Sequence, residues 1–461
     1  MRLLTPLVLA VALAATPALA RDWAIPDTGI IGVEQAQLDP AFWVRQQAQP
    51  DRVILDSAAI AMQNERLHRL DRSIHDLKAL PAMLPREQVS AWVASLSKLP
   101  GKPLFDANGQ PVPADTLTGV VANANLDAIA DGAATRYGLV VHRADLRAFP
   151  TTLRVFTSND DHDIDRFQES GLFPGDPVAV VHESRDGQWW FVVSPRYAAW
   201  IEKRHVAIGS AEQALGYGQR APYRVITGAK AFTLYTPEDP RVSELQLDMG
   251  TRVPVLADWQ TGKPVNGQHA YTSTVVELPV RNDDGSLAFA PALLPRREPS
   301  EDHYLALTPR HLIEQSFKFL GERYGWGHSY NGRDCSGFVS EIYRSMGVEL
   351  PRNTSDQAVS PALNRIALSD KDSRARRLQI AHELQVGDLV YIPGHVMMVI
   401  GQIDGEPYVI HDTTGLSFAG SDGKTVRAKT NGVTVSPLTP LLFNGKQTYV
   451  DRMTNIQRIR P

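Results

Sequence analysis

The chain has 461 residues, 43% hydrophobic and 21% charged, which excludes a disordered chain and also a single domain, since one domain usually holds about 100–200 residues. With 47 basic against 51 acidic residues and a formal charge of −4, it has no basic field for a polyanion, and no nucleic-acid partner is expected. Its one cysteine, Cys335, has no second thiol in the chain to pair with.

Met1 and Arg2 precede an apolar run from Leu3 to Ala15 and then Ala18-Leu19-Ala20, the pattern of a signal peptide cleaved after Ala20. The run is short of the roughly 20 residues that a spanning helix needs. Export to the periplasm or outside the cell, with no stable membrane anchor, is the expectation. An unpaired thiol in an oxidising compartment is either a buried small side chain or a reactive group.

Residues 21–135 form the next expected segment, and it is helical. Ala58, Ala61, Met62, Leu67 and Leu70 recur at helical spacing, as do Val89, Trp92, Val93 and Leu96, before Leu99-Pro100-Gly101-Lys102-Pro103 breaks the pattern. No chemistry is visible there. Beyond it the period shifts toward two, in runs such as Val178–Val181 and Trp189–Val193 separated by turn residues.

Two parts of this β region are alike. Arg147-Ala148-Phe149 precedes Gly175-Asp176-Pro177-Val178-Ala179-Val180, and Lys230-Ala231-Phe232 precedes Gly250-Thr251-Arg252-Val253-Pro254-Val255. They resemble bacterial SH3 domains, predicted as two β-barrels over 136–212 and 213–300.

The last segment, 301–461, opens on Thr308-Pro309, an N-cap with proline at the first helical position. A second amphipathic helix starts at Cys335, with Phe338, Val339, Ile342, Tyr343 and Met346 on its apolar face. Strand-like runs follow, so an α+β domain is predicted. A helix N-terminus stabilises a thiolate, and Cys335 precedes the apolar face on which a structural cysteine would more often lie. A thiolate nucleophile needs a base and a group that holds the base. His395 begins one strand and His411 ends the next, so both reach the helix end if the strands are hairpin neighbours. A zinc site from the same three residues is the alternative, but the closely paired ligand spacing of common zinc motifs is absent.

Arg323-Tyr324-Gly325-Trp326-Gly327, Asp334-Cys335-Ser336-Gly337-Phe338, Leu350-Pro351-Arg352-Asn353, Gly387-Asp388-Leu389-Val390, Gly394-His395-Val396 and Val409-Ile410-His411 together resemble an NlpC/P60 cysteine peptidase domain, a papain-like fold. The resemblance implies Cys335 as nucleophile, His395 as base, His411 as the residue orienting it and Tyr324 at the oxyanion. It implies no metal or organic cofactor. With two SH3 modules in front, the chain is similar to γ-D-glutamyl-L-diamino-acid endopeptidases that act, as monomers here, on peptidoglycan-derived peptides with a free N-terminal L-Ala.

For that substrate the resemblance implies Asp334, Ser336, Asn353 and Thr354 as binding residues. Tyr197 of the first SH3 module is the leading partner for the substrate ammonium, and Asp165 and Gln168 are weaker ones. Two departures stand out. Asn353 replaces an aspartate common in such relatives, and His328 replaces a usual glycine, placing a bulkier side chain at the cleft entrance or on the surface. A non-catalytic wall-binding protein, or acyl transfer on another amide, are the competing readings.

Overall fold

Residues 23–460 are described in a computed structural model; the expected signal segment 1–20 lies outside them. The N-terminal part contains helices α1 (Ser57–Leu70), α2 (Arg86–Leu96) and α3 (Ala114–Asn123). Asp56 caps α1, accepting from the Ala59 N–H at 2.8 Å, which satisfies one of the donors that a helix start leaves free. Val89 and Val93 of α2 pack against Phe191 and Trp200 of the sheet that follows. The same part also reaches the far end of the chain. Trp43 is fully buried against Ile400 and Tyr408, and a Cβ at Gly401 would stand 2.9 Å from its ring, so only glycine admits the tryptophan there.

A seven-stranded antiparallel sheet comes next. It is built from β1 (Arg136–Val140), β2 (Ala144–Arg147), β3 (Gln168–Leu172), β4 (Pro177–Glu183), β5 (Trp189–Val193), β6 (Ala198–Glu202) and β7 (Val206–Gly209), in the order β3-β2-β6-β5-β4-β1-β7. Alternate residues point to opposite faces. Ala179, Val181, Phe191 and Val193 meet the helices, while Val178, Val180, Val192 and Ile201 fill the other core.

The second β unit has one core, with Ile226, Leu247, Val253, Leu278 and Ala292, but three small sheets. β8 (Tyr223–Ile226) pairs with β11 (Arg252–Pro254) and β14 (Ser300–Glu301), β9 (Lys230–Phe232) with β10 (Gln246–Asp248), and β12 (Ser273–Arg281) with β13 (Leu287–Pro295). The sequence likeness to the first unit has a backbone counterpart, since Gly175 (φ +90°) and Gly250 (φ +78°) both enter the left-handed region. The pairing differs because the β12–β13 hairpin is matched to itself over all its positions.

In the C-terminal domain, Thr308 caps α4 (Pro309–Phe317) by accepting from the His311 N–H at 3.1 Å. α5 (Cys335–Arg344) and α6 (Thr354–Val359) follow, then β15 (Asn364–Ala367), α7 (Arg374–His382), β16 (Leu389–Ile392), β17 (His395–Ile403), β18 (Glu406–Thr413), β19 (Gly432–Pro437) and β20 (Asn455–Arg458). Their sheet runs β15-β20-β16-β17-β18-β19. Phe338, Val339, Ile342 and Tyr343 of α5 pack on Val396, Met398 and Ile400 of β17. The helix start is thereby fixed over one end of the sheet.

Candidate active site

Asp334 is the N-cap of α5. Its Oδ1 accepts from the Gly337 N–H at 2.8 Å, which leaves Cys335 at the first helical position. Burial pushes the Cys335 thiol up to about 11, helped by the Asp334 charge, while Thr354 and the Val396 N–H pull against it. The lowering expected at the helix end is outweighed by burial, which favours the thiol over the thiolate. Its Sγ lies 3.5 Å from Thr354 Oγ1.

β17 and β18 are antiparallel neighbours in the register Met398↔Ile410, which brings His395 and His411 to the same end of the sheet. His395 Nε2 and His411 Nδ1 are 2.7 Å apart. Burial holds His395 down to about 4, and burial plus its neighbour holds His411 well below the ordinary imidazole value. Both shifts favour the neutral rings. No hydrogen bond joins His395 to Cys335, but its Nε2 is occupied, so Nδ1 is the nitrogen left for a thiol proton. Such contacts commonly tighten only when substrate binds. Tyr324, 6% exposed, borders this group; burial, then the charge of Cys335, raises its hydroxyl well above the usual range.

The polar residues expected to bind substrate fall into two sets. Asp334 is already engaged, because Arg352 Nη2 donates to its Oδ2 at 2.8 Å and the Gly327 N–H at 3.0 Å. Burial pushes Asp334 up, but the Arg352 charge prevails and brings it to about 2. Ser336 Oγ accepts from Arg352 Nη1 at 2.9 Å and is buried in the same network. Asn353 donates its amide to Asp356 at 3.0 Å. Thr354, by contrast, stands at the nucleophile.

On the first β unit, Tyr197 donates its hydroxyl to Glu169 Oε2 at 2.5 Å, and the charge of Arg352 acts on both. Glu169, on β3, was not anticipated. Burial pushes its carboxyl up, and Tyr197, Arg352 and Arg147 pull it back. The weaker sequence candidates just before and at the start of that strand are structural. Asp165 is fully buried and pairs with Arg147 at 2.6 Å, while Gln168 donates to the Gly327 carbonyl at 2.7 Å. A carboxylate in a strand whose neighbours face inward was the signal available.

His328 neither lines the entrance nor lies on the surface. At 3% exposure it accepts at Nδ1 from Arg352 Nη2 and donates from Nε2 to Glu341, each at 3.1 Å. It fits because Gly337 opposes it, where a Cβ would be 2.7 Å from the ring. Beneath it the fully buried Arg333 pairs with Glu341 (2.5 Å), Glu322 (2.7 Å) and Asp248 (2.8 Å). The first β unit closes the other side: Trp326 Nε1 donates to the Gln168 carbonyl at 2.9 Å and Arg352 Nε to Ser170 Oγ at 2.7 Å. Both β units and the C-terminal domain thus meet around the loop before Cys335.

With this geometry the comparisons agree. Residues 321–447 match the NlpC/P60 family and residues 154–202 an SH3 domain of the SH3b1 type. The chain carries an NlpC/P60 domain joined to an SH3 domain. It is 28% identical over 254 residues to the γ-D-glutamyl-L-lysine dipeptidyl-peptidase of Bacillus cereus, a match covering 50% of this chain and 65%, just under two thirds, of that relative. Among solved structures, an NlpC/P60 endopeptidase from Photobacterium damselae subsp. piscicida shares the fold, with a TM-score of 0.72 at 16% identity over 90% of this chain and 96% of its own. Among the described residues no helix is long and apolar enough to cross a membrane.

Proposed function

We propose that the chain is a cysteine endopeptidase that hydrolyses γ-D-glutamyl-L-diamino acid bonds in short, released cell-wall peptides bearing a free N-terminal L-Ala. The observation that carries it is the thiol at the start of α5 beside a histidine pair joined at 2.7 Å. The NlpC/P60 match and the named relative support the substrate class.

The resting pair is a neutral thiol and a neutral imidazole, so the proton moves during attack. His395 Nδ1 takes it as Cys335 Sγ bonds to the scissile carbonyl carbon. The oxyanion meets the Cys335 N–H, one of the donors a helix start leaves free, and the Tyr324 hydroxyl. Collapse expels the diamino acid's amine, which takes the proton from His395, and leaves a thioester. His395 then deprotonates water, whose attack releases the γ-carboxylate and restores the thiol.

Selection of a free amine is assigned to Glu169 and Tyr197 on the first β unit. Asn353 lacks the charge of the aspartate common in relatives, and Asp334 is neutralised by Arg352. Glu169 supplies the missing negative charge from the first β unit, and a buried ammonium needs one. Thr354 and Ser336 are assigned to the D-glutamate α-carboxylate. The enzyme works as an exported monomer without a cofactor. Cys335→Ala is expected to abolish hydrolysis of L-Ala-γ-D-Glu-diaminopimelate and leave thermal unfolding unchanged; turnover equal to the parent's would refute the proposal.

A further inference from the structure

An imidazole in third place creates an ambiguity that an asparagine or aspartate there does not. His411 Nδ1 can accept from His395 Nε2–H, or its own Nδ1–H can donate to a bare His395 Nε2. Only the first arrangement leaves His395 Nδ1 free to take the thiol proton. In the second, the proton sits on Nδ1 and the base is blocked. The productive arrangement puts the remaining proton of His411 on Nε2, where it needs an acceptor.

The structure holds one. Ser436 Oγ is 3.1 Å from His411 Nε2, and both residues are 0% exposed, so water does not substitute for it. The sheet places it there. His411 is paired with Thr434 across β18 and β19, and Ser436, two residues along β19, is the diagonal neighbour on the same face. Thr434 Oγ1 donates instead to the Gly432 carbonyl at 3.0 Å.

We infer that Ser436 is a positioning residue, the outermost member of a chain Cys335, His395, His411, Ser436, whose hydroxyl supplies the acceptor that His411 Nε2–H needs in the one arrangement that leaves His395 Nδ1 free to act as base. The inference rests on the proposed peptidase activity. Without the hydroxyl, His411 Nε2–H becomes a buried unsatisfied donor, and the competing tautomer, which leaves only a bare acceptor, gains.

The test compares Ser436→Thr with Ser436→Val in the full chain, with Ser436→Ala as a third variant. Thr and Val have the same shape and both suit a strand, so any difference between them reports the hydroxyl rather than packing. On L-Ala-γ-D-Glu-diaminopimelate the Val and Ala variants are expected to lose at least about tenfold in kcat with KM within about twofold, and Thr to retain parental kcat. Equal kcat in the Thr and Val variants, or a loss confined to KM, would overturn the inference. Cys335→Ala is assayed alongside. Activity that survives in it marks failure of the peptidase reading itself, whereas Cys335-dependent activity indifferent to residue 436 marks failure of this inference alone.

Discussion

Glu169→Gln removes the negative charge to which selection of the substrate ammonium is assigned, while keeping the side chain's shape. Gln Oε1 still accepts from the Tyr197 hydroxyl, so the 2.5 Å contact that fixes the side chain persists. A hydrogen bond to a charged group contributes about 1.5–3 kcal/mol, and about 1.4 kcal/mol is tenfold. The variant should therefore lose roughly 10- to 150-fold in kcat/KM on the peptide with a free L-Ala amine. The N-acetylated peptide has no ammonium to lose, so its kcat/KM should stay near the parent's and the ratio between the two substrates should collapse. The parent should lose the same preference as pH falls through the raised Glu169 pKa, because the protonated carboxyl no longer holds an ammonium. Both peptides are followed by release of diaminopimelate. An unchanged ratio in Glu169→Gln would refute the assignment.

Three further outcomes are expected. The thiol is pushed up to about 11, so alkylation of Cys335 by iodoacetamide should accelerate through pH 8–10; a plateau already reached by neutral pH would mean a preformed thiolate–imidazolium pair instead. Asp334 is held at about 2 in the fold, against an ordinary 3.8. The folded chain binds fewer protons there than the unfolded chain, so this contribution of about 2 kcal/mol is present above pH 4 and lost as pH falls toward 2. Asp334→Asn should flatten that acid limb in melting curves, and an identical limb would count against it. Arg333→Met strands Asp248, Glu322 and Glu341 in the interior and should lower the melting temperature by at least about 6 °C; a change under a degree would show that the network relaxes.

What could be read from the sequence was local. Thr308-Pro309 marks a helix start by chain chemistry alone, and α4 begins at Pro309. The apolar face of α5 and the strands bearing His395 and His411 follow from periodicity, and their adjacency from the short connection between them. The second β unit shows where likeness stops: its glycines repeat a backbone angle, but strand pairing is decided by distant partners. The helix α3 lies within the segment expected to be helical, but no periodicity marks it, because its Thr, Gly and Asn residues give weak propensity and only Val120 is buried. Glu169, Ser436 and the burial of His328 were not legible for a common reason. Each depends on a partner more than ten residues away, His328 on Arg352 and Ser436 on His411, and no local pattern encodes such a meeting. Asp165 and Gln168 are ligand-type side chains by sequence, but Arg147 and the Gly327 carbonyl engage them in the fold.

The central claim is which bond the Cys335 centre cuts. Incubating the full chain with L-Ala-γ-D-Glu-diaminopimelate and identifying the products by mass spectrometry tests it most directly. The account predicts L-Ala-D-Glu and free diaminopimelate, with nothing formed by Cys335→Ala. Release of free L-Ala, or an intact peptide with active, folded protein, would contradict it.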